Sequence, residues 1–423
     1  MTPVAAIEAD QARKIQWLVQ VLLKSNRFYA AKLQAAGIDR SPENLGEFCA
    51  RVPFTVKAEL IDDQTLNPPF GTNLTFALEE YSRFHQTSGT TGKPMRWLDT
   101  PESWDWVVEC WTRIYQSAGI GHRDRVFFPF SFGPFLGFWG AFDAAARMGC
   151  LVISGGGMRS AVRLRTIVDN EVTAFCSTPT YAVHLAEAAT EEKIDLGAAR
   201  VRTIIVAGEP GGSIAATRSH IEQLWGGARV VDHHGMTEIG PVSYECPRRR
   251  GVLHVMEWAY FPEVIDPNTL EPVGAGGGGE LVLTNLGRVG SPILRYRTGD
   301  IVQRAQELSC ECGSHEMALE GGILGRNDDM VVVRGVNLYP SAVEQVVRSS
   351  GSVAEFRVEI YNQRSLAEMS IQIEPAAGED AAALSHRVET ALHYAFGLRV
   401  PVCAVSAGTL PRFEAKSKRW IFR

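Results

Sequence analysis

A two-part α/β fold is what this sequence predicts, and three observations predict it. From Arg125 to about Met236, short β-rich runs alternate with helical patterns, the order of βαβ units around a parallel, buried sheet. Between Val255 and Val302, strands are separated by Gly and Pro turns. From Met330 onward the pattern is β-α-β-β-α-β, the split βαβ arrangement of a small α+β domain. A chain of 423 residues also exceeds one ordinary core. The expected fold class is therefore α/β, with a large N-terminal multi-sheet domain at 1–325 and a small C-terminal α+β domain at 326–423. The boundary falls at the polar junction Gly325-Arg326-Asn327-Asp328-Asp329, between two apolar blocks.

Near the N-terminus, Ile15, Leu18, Val19, Leu22 and Leu23 share one helical face, so this run reads as an amphipathic helix. Gln20 interrupts it and Lys24 ends it, which makes it too short to span a bilayer, and no small-residue cleavage site follows. The runs Val126-Phe127-Phe128, Cys150 to Ile153, Ala174 to Cys176 and Thr203 to Ala207 supply the parallel strands. Gly274 through Gly279 reads as a flexible turn before the strand Glu280 to Leu283. The C-terminal pattern places strands at 330–333, 356–360, 369–373 and 402–405, with helices at 340–349 and 384–396.

Composition narrows the class of protein. Hydrophobic residues at 45% and charged residues at 21% are near the soluble average, which excludes a disordered or fibrous chain. A net charge of −6 argues against nonspecific nucleic-acid binding. A metabolic enzyme in the cytoplasm is expected, with no membrane partner; a homodimer is left open. Eight cysteines in so long a chain are no disulfide framework, and Cys49, Cys150 and Cys176 sit in apolar surroundings as small core residues.

The chemistry begins at Thr87-Ser88-Gly89-Thr90-Thr91-Gly92-Lys93-Pro94, which combines glycines, hydroxyls and a lysine in one loop. Glycines let successive N–H groups face an anion, hydroxyls donate to phosphate oxygens, and the lysine adds a compact positive charge. The P-loop of kinases and ATPases needs four residues between its first glycine and Gly-Lys, then Ser or Thr. Here only Thr90 and Thr91 separate Gly89 from Gly92, and Pro94 follows Lys93, so that reading fails.

Four further stretches bear on this loop. His233-His234-Gly235-Met236-Thr237-Glu238 follows the strand Arg229-Val230-Val231, at the end where open α/β sheets bind ligands. Arg295-Tyr296-Arg297-Thr298-Gly299-Asp300 puts a carboxylate on a turn, Gly325 to Asp329 puts charge at the junction, and Leu410-Pro411-Arg412-Phe413-Glu414-Ala415-Lys416 puts a lysine in the tail. Singly, each could be a solvated turn. In this order and at these separations they resemble the adenylate-forming superfamily over nearly the full length, and within it the phenylacetate–coenzyme A ligase family, which also carries Arg-Tyr-Arg-Thr and Leu-Pro-Arg-x-Glu-x-Lys elements.

That resemblance implies a large domain, a small mobile domain, and a reaction in two steps: a carboxylate attacks the α-phosphate of ATP, then a thiol displaces AMP. It implies that the loop Thr87 to Lys93 holds the departing phosphates, that Thr237 reaches the α-phosphate, and that Glu238 holds Mg²⁺. Asp300 would take the ribose hydroxyls, with Arg326 beside it, and Gly208-Glu209-Pro210 resembles the adenine-side turn. Lys416 would bridge carboxylate and α-phosphate, with Lys418 as the alternative. Asp328 resembles the hinge between half-reactions, and Gly335 the glycine beside which pantetheine passes. One departure stands out: the family's Tyr before the glycine of its Gly-x-Thr/Ser-Glu motif is His234 here, next to Gly235.

Cys246, His254, Cys310 and Cys312 offer thiolates and imidazole suited to tetrahedral Zn²⁺, a layout some relatives in this family share; His315 could replace His254. The site would be structural. The acid should bind near Phe130 to Trp139, where Phe132, Phe135 and Phe138 suit an aromatic acid and His233 offers a polar contact; a buried core helix explains the same rings. After adenylation the acceptor is coenzyme A, or alternatively a carrier-protein thiol or an amine, because the adenylation motifs are shared. A non-catalytic nucleotide-binding relative would have lost Lys416, Glu238 or Asp300, and all three are present.

Overall fold

A computed structural model describes residues 2–87, 94–334, 336–363, 366–413 and 417–423. Its centre is a five-stranded parallel sheet in the order Leu151–Ser154, Arg125–Phe128, Ala174–Ser177, Thr203–Val206 and Arg229–Asp232. The inner strands are largely apolar because both their faces are covered, whereas the edge strand Leu151–Ser154 is partly exposed. Val126, Phe128, Ile205 and Val231 enter one core with the helices Pro101–Ser117 and Leu136–Arg147, while Phe127, Ile204, Val206 and Val230 enter a second with Ser160–Asp169, Pro179–Glu191 and Ala215–Leu224. Strict alternation of side chains along each strand sorts neighbours into opposite cores.

A second, antiparallel sheet of six strands extends the first core: Ser243–Glu245, Val252–Val255, Ala318–Arg326, Tyr296–Arg304, Gly278–Asn285 and Tyr260–Ile265, in that order. The glycine run turns the chain as expected, although its last two residues already belong to the strand Gly278–Asn285. The N-terminal helix Pro3–Ser25, started by the Thr2 cap and Pro3, buries Ile15, Leu18, Val19 and Leu22 against Leu286 and Leu294, with Leu23 at the margin of the same cluster. No helix among the described residues is long and apolar enough to cross a membrane. All eight cysteines are free, and Cys150 and Cys176 are buried.

The C-terminal part has its own core, drawn wholly from Val333 to Val402. Its helices, Pro340–Ser349 and Ala381–Phe396, lie where the sequence places them, but the sheet differs in one respect. The expected first strand, Val331–Val333, pairs with Val336–Leu338 in a separate hairpin. The fourth place in the sheet is taken by Trp420–Phe422, which runs parallel to Val353–Gln363; Leu366–Pro375 and Val402–Ala404 complete it. A reversal so soon after Val333 leaves the first strand no length to join the sheet, and the chain terminus, returning past it, fills the gap.

Candidate functional site

The antiparallel pair Arg83–Gln86 and Arg96–Asp99 leads into and out of the Gly/Ser/Thr loop. Thr87 closes the pair: its N–H donates to the Met95 carbonyl at 2.9 Å, and its hydroxyl accepts from Met95 N at 3.0 Å. Ser88, Gly89, Thr90, Thr91, Gly92 and Lys93 lie outside the described residues. Strand pairing has nonetheless fixed where that loop begins and ends.

Asp99, at the base of the pair, is fully buried and accepts from Arg288 through Nε at 2.6 Å and Nη2 at 2.7 Å; the third guanidinium nitrogen donates to the Thr237 carbonyl at 2.7 Å. A fork of this kind is rigid because the guanidinium is planar and every donor is directed. It therefore ties the loop's base to the Thr237-Glu238 turn. Neither Asp99 nor Arg288 is apparent as a functional residue from sequence; the only signal is a charged residue flanked by the buried runs Leu281 to Leu286 and Ser291 to Leu294.

The turn after Arg229–Asp232 carries both histidines. His233 is buried edge-on against Trp111, with ring centroids 4.4 Å apart, and burial, aided by His234, pushes its pKa down to about 3. It is neutral at physiological pH, and its Nδ1 has no hydrogen-bond partner. Glu238 is buried and accepts from the Tyr296 hydroxyl through Oε1 at 2.8 Å, while Lys57 Nζ approaches the same oxygen at 3.9 Å. Lys57 is a cation at the site that sequence reasoning missed, since it lies far from every motif.

The Arg-Tyr-Arg-Thr stretch divides its labour. Arg295 pairs with Glu263 at 2.7 Å and Arg297 with Glu280, both holding strands in register, while Tyr296 faces Glu238. Asp300 sits opposite Arg326 across the strands Tyr296–Arg304 and Ala318–Arg326 and accepts from its Nη1 at 3.1 Å through Oδ1. His234 Nε2 lies 2.9 Å from Asp300 Oδ2 but out of line for a hydrogen bond, and both atoms, with His234 Nδ1, are buried without hydrogen-bond partners among the described residues. Buried polar atoms left in this state cost free energy unless a ligand satisfies them. Asp300, Arg326 and His234 thus form one open polar corner.

The aromatic residues form a wall beside this corner. Phe130 stacks on Phe138 with centroids 3.8 Å apart, and Phe132 packs against Trp139 at 4.8 Å and Phe142 at 5.4 Å. Phe135 is the outlier: it is 37% exposed and meets Phe138 edge-on with centroids 5.9 Å apart, so it lies at the rim. His233 joins the wall indirectly, since Trp111 also packs against Gly140 of the helix Leu136–Arg147.

Gly208 has a left-handed φ of 91°, and Pro210 follows on the surface. Between them Glu209 uses both carboxylate oxygens: Oε1 accepts from Thr180 N and Oε2 from Ser417 N, each at 2.8 Å. That second bond brings the C-terminal tail to the turn after the parallel strand Thr203–Val206. Lys416 and Gly335 lie outside the described residues, and of Asp328 only the backbone is described, in the 3-10 turn Asn327–Asp329 after the strand ends at Arg326. Lys418 is among the described residues, two positions beyond Lys416.

Some distance along the antiparallel sheet, Cys246, His254, Cys310 and Cys312 present ligand atoms that all lie within 4.8 Å of one another. Cys246 Sγ is 3.6 Å from Cys310 Sγ, and Cys312 Sγ is 3.5 Å from His254 Nε2. Tetrahedral zinc with ordinary bond lengths puts its sulfurs about 3.8 Å apart and sulfur and nitrogen about 3.6 Å apart. His254 Nδ1 faces the Glu316 carbonyl at 3.4 Å, which leaves Nε2 toward the cysteines. His315 is not among the four.

Comparison with known proteins accounts for this arrangement. A family model for AMP-binding enzymes matches residues 84–287, and one for the AMP-binding enzyme C-terminal domain matches residues 335–422. The phenylacetate–coenzyme A ligase of Thermus thermophilus is 32% identical over 377 residues, covering 88% of this chain and 82% of that protein. Among solved structures, 2-hydroxyisobutyryl-CoA ligase in the postadenylation state, bound to R3-HIB-AMP, superposes with a TM-score of 0.92 at 28% identity, covering 100% of this chain and 90% of that one. The same ligase bound to 2-HIB-AMP and CoA in its thioesterification state gives 0.70 at 29% identity, with the same coverage. The chain belongs to the phenylacetate–coenzyme A ligase family of AMP-binding enzymes: it is an AMP-forming ligase that activates a carboxylic acid with ATP as an acyl-adenylate and passes the acyl group to coenzyme A.

Proposed function

We propose that the acid is aromatic and that the polar corner at Asp300 receives the nucleotide's ribose. The observation that carries the nucleotide assignment is the trio of buried, unpartnered atoms Asp300 Oδ2, His234 Nε2 and His234 Nδ1. Two neighbouring hydroxyls can donate to Asp300 and accept from a histidine, so a ribose fits that donor set. In this reading Thr87 and the loop Ser88 to Lys93 grip the leaving pyrophosphate, the Thr237 hydroxyl donates to the α-phosphate, and Gly208-Glu209-Pro210 borders the adenine beside His234-Gly235. Charge builds on the phosphates as the carboxylate attacks, and fixed donors stabilise it without reorganisation. Lys416 sits between carboxylate and α-phosphate and removes most of their repulsion.

Glu238 suits Mg²⁺: it is a buried carboxylate whose recorded partners, Tyr296 and Lys57, both use Oε1. Bound there, the ion would neutralise phosphate charge as a Lewis acid. Cys246, His254, Cys310 and Cys312 suit a structural Zn²⁺, because the Cys246–Cys310 and Cys312–His254 spacings match those of a tetrahedral site and all four ligand atoms lie within 4.8 Å of one another. We place the domain boundary at 325/326, with Asp328 as hinge and Gly335 beside the pantetheine path, and the enzyme in the cytoplasm. The higher TM-score against the neighbour's postadenylation state supports taking this structure as the arrangement of the first half-reaction.

The aryl assignment rests on the wall of Phe130, Phe132 and Phe138, with His233 as a neutral polar contact. One observation favours a second reading, a small branched acid: Phe130 and Phe138 stack directly on each other, which narrows the pocket, and a 2-hydroxyisobutyryl-CoA ligase shares the architecture. ATP–pyrophosphate exchange across aryl and small branched acids separates the two. Fastest exchange with an aryl acid is expected, and exchange confined to branched acids overturns the assignment. Lys416→Ala should abolish exchange; an unchanged rate removes that lysine from the chemistry.

A further inference from the structure

Residues on either side of Lys416 are anchored to one helix of the large domain. Glu374, fully buried on the strand Leu366–Pro375, accepts from Gly408 N at 3.2 Å, from Leu410 N, and from Arg412 Nη2 at 2.8 Å. The small domain thus folds its own tail and aims the guanidinium outward. Arg412 Nε then donates to Glu187 Oε2 at 3.1 Å, across the domain interface on the helix Pro179–Glu191. Further along the tail, Ser417 N donates to Glu209, whose other oxygen holds Thr180 N at the start of that same helix. From Thr180 to Glu187 the helix rises about 10 Å, so the two anchor points lie about two turns apart.

We infer that Glu187 is a positioning residue for adenylation: with Glu209 it clasps the tail at Arg412 and Ser417, and so sets Lys416 over the nucleotide in the first half-reaction only. The inference rests on the Lys416 reading above. Arg412 moves with the small domain and Glu187 with the large one, so any rotation between half-reactions parts them. The pair can favour only the arrangement in which it forms. Glu187 touches no reacting group, and its partner is a charge-assisted, partly buried donor, the class of hydrogen bond worth most.

The test uses the full-length enzyme with whichever acid of the exchange panel is turned over fastest. Acyl-adenylate formation from acid and ATP is followed in a single turnover, and thioester formation is followed separately from the synthetic adenylate of that acid plus coenzyme A. Glu187→Gln should slow the first about tenfold and leave the second within about twofold. In an Arg412→Met background, Glu187→Gln should cost nothing further, since the partner is already gone. Equal slowing of both steps, or no slowing of either, overturns the clasp. Lys416→Ala run alongside separates the two ideas: if it too adenylates normally the lysine reading has failed, whereas if it alone is inactive the clasp has.

Discussion

Replacing Arg288 by Met tests whether the strut between the base of the Gly/Ser/Thr loop and the Thr237 turn is as stiff as its geometry implies. Both Arg288 and Asp99 are fully buried, so the substitution strands a carboxylate whose nearest remaining partner is His85 Nδ1 at 3.4 Å. Breaking a buried pair from one side costs about 3–5 kcal/mol, and the Thr237 carbonyl also loses its donor. We take about 4 kcal/mol, which is about a thousandfold in the local opening equilibrium. A chain of this size need not unfold in one step, so the measurement is hydrogen exchange of the amides in Arg96–Asp99. Charge supplies a second signature. In the native protein burial pushes the Asp99 carboxyl up, but Arg288, with a smaller contribution from His85, more than offsets this and holds it below its ordinary 3.8. Its contribution to stability is therefore present above that value and is lost as pH falls through the lower folded one. Without Arg288 burial is opposed only by His85, so the carboxyl rises from its native value, and its penalty is greatest at neutral pH and relieved by acid. The gap between the two proteins should narrow on acidification. Asp99→Leu combined with Arg288→Met should recover much of the loss, because an apolar pair of similar volume leaves no buried charge. A loss below about 1 kcal/mol, or a double variant that loses the sum of the singles, refutes the strut.

Asp300→Ala should raise KM for ATP by about ten- to a hundredfold with a smaller change in kcat, since it removes acceptors used equally in ground and transition states; steady-state kinetics at saturating acid checks the split. Metal analysis of untagged protein should return about one zinc per chain, and Cys312→Ser should return almost none while leaving the helical circular-dichroism signal in place. Zinc absent from the native protein with its fold intact removes that assignment.

What the sequence reveals about this site follows the range of the interactions. Thr237-Glu238, Asp300 and the Gly/Ser/Thr loop are legible because each is a compact run whose residue types state their chemistry locally. The parallel sheet is legible because a strand buried on both faces must be apolar throughout. Asp99 and Arg288, 189 positions apart, and Glu187 and Arg412, 225 apart, carry no such local mark. Their meaning exists only once the fold has paired them. The strand Trp420–Phe422 fails for a different reason: three residues give too little periodicity to read, so its place in the sheet fell to Val331–Val333, which has the stronger β-branched signal.

Several contacts between the two parts are polar, which suits the proposed movement of the small domain. The small domain closes its core over residues of its own, and that core shares no member with the large domain's clusters. Where the parts meet, polar contacts recur: Thr217 donates to Glu344, Arg412 meets Glu187, and Ser417 meets Glu209, beside the packing of Tyr339 on Gly325. His220 belongs to the same surface, and its pKa is pushed down to about 4 by burial and by the nearby Arg348. Polar groups that part from one another regain water, so leaving this interface costs far less than exposing an apolar one of equal size. An apolar seam would have fixed one arrangement. Carboxylates and guanidiniums can exchange each other for solvent, so such contacts would let the parts rearrange at little cost, as the proposed alternation between adenylation and thiol transfer requires.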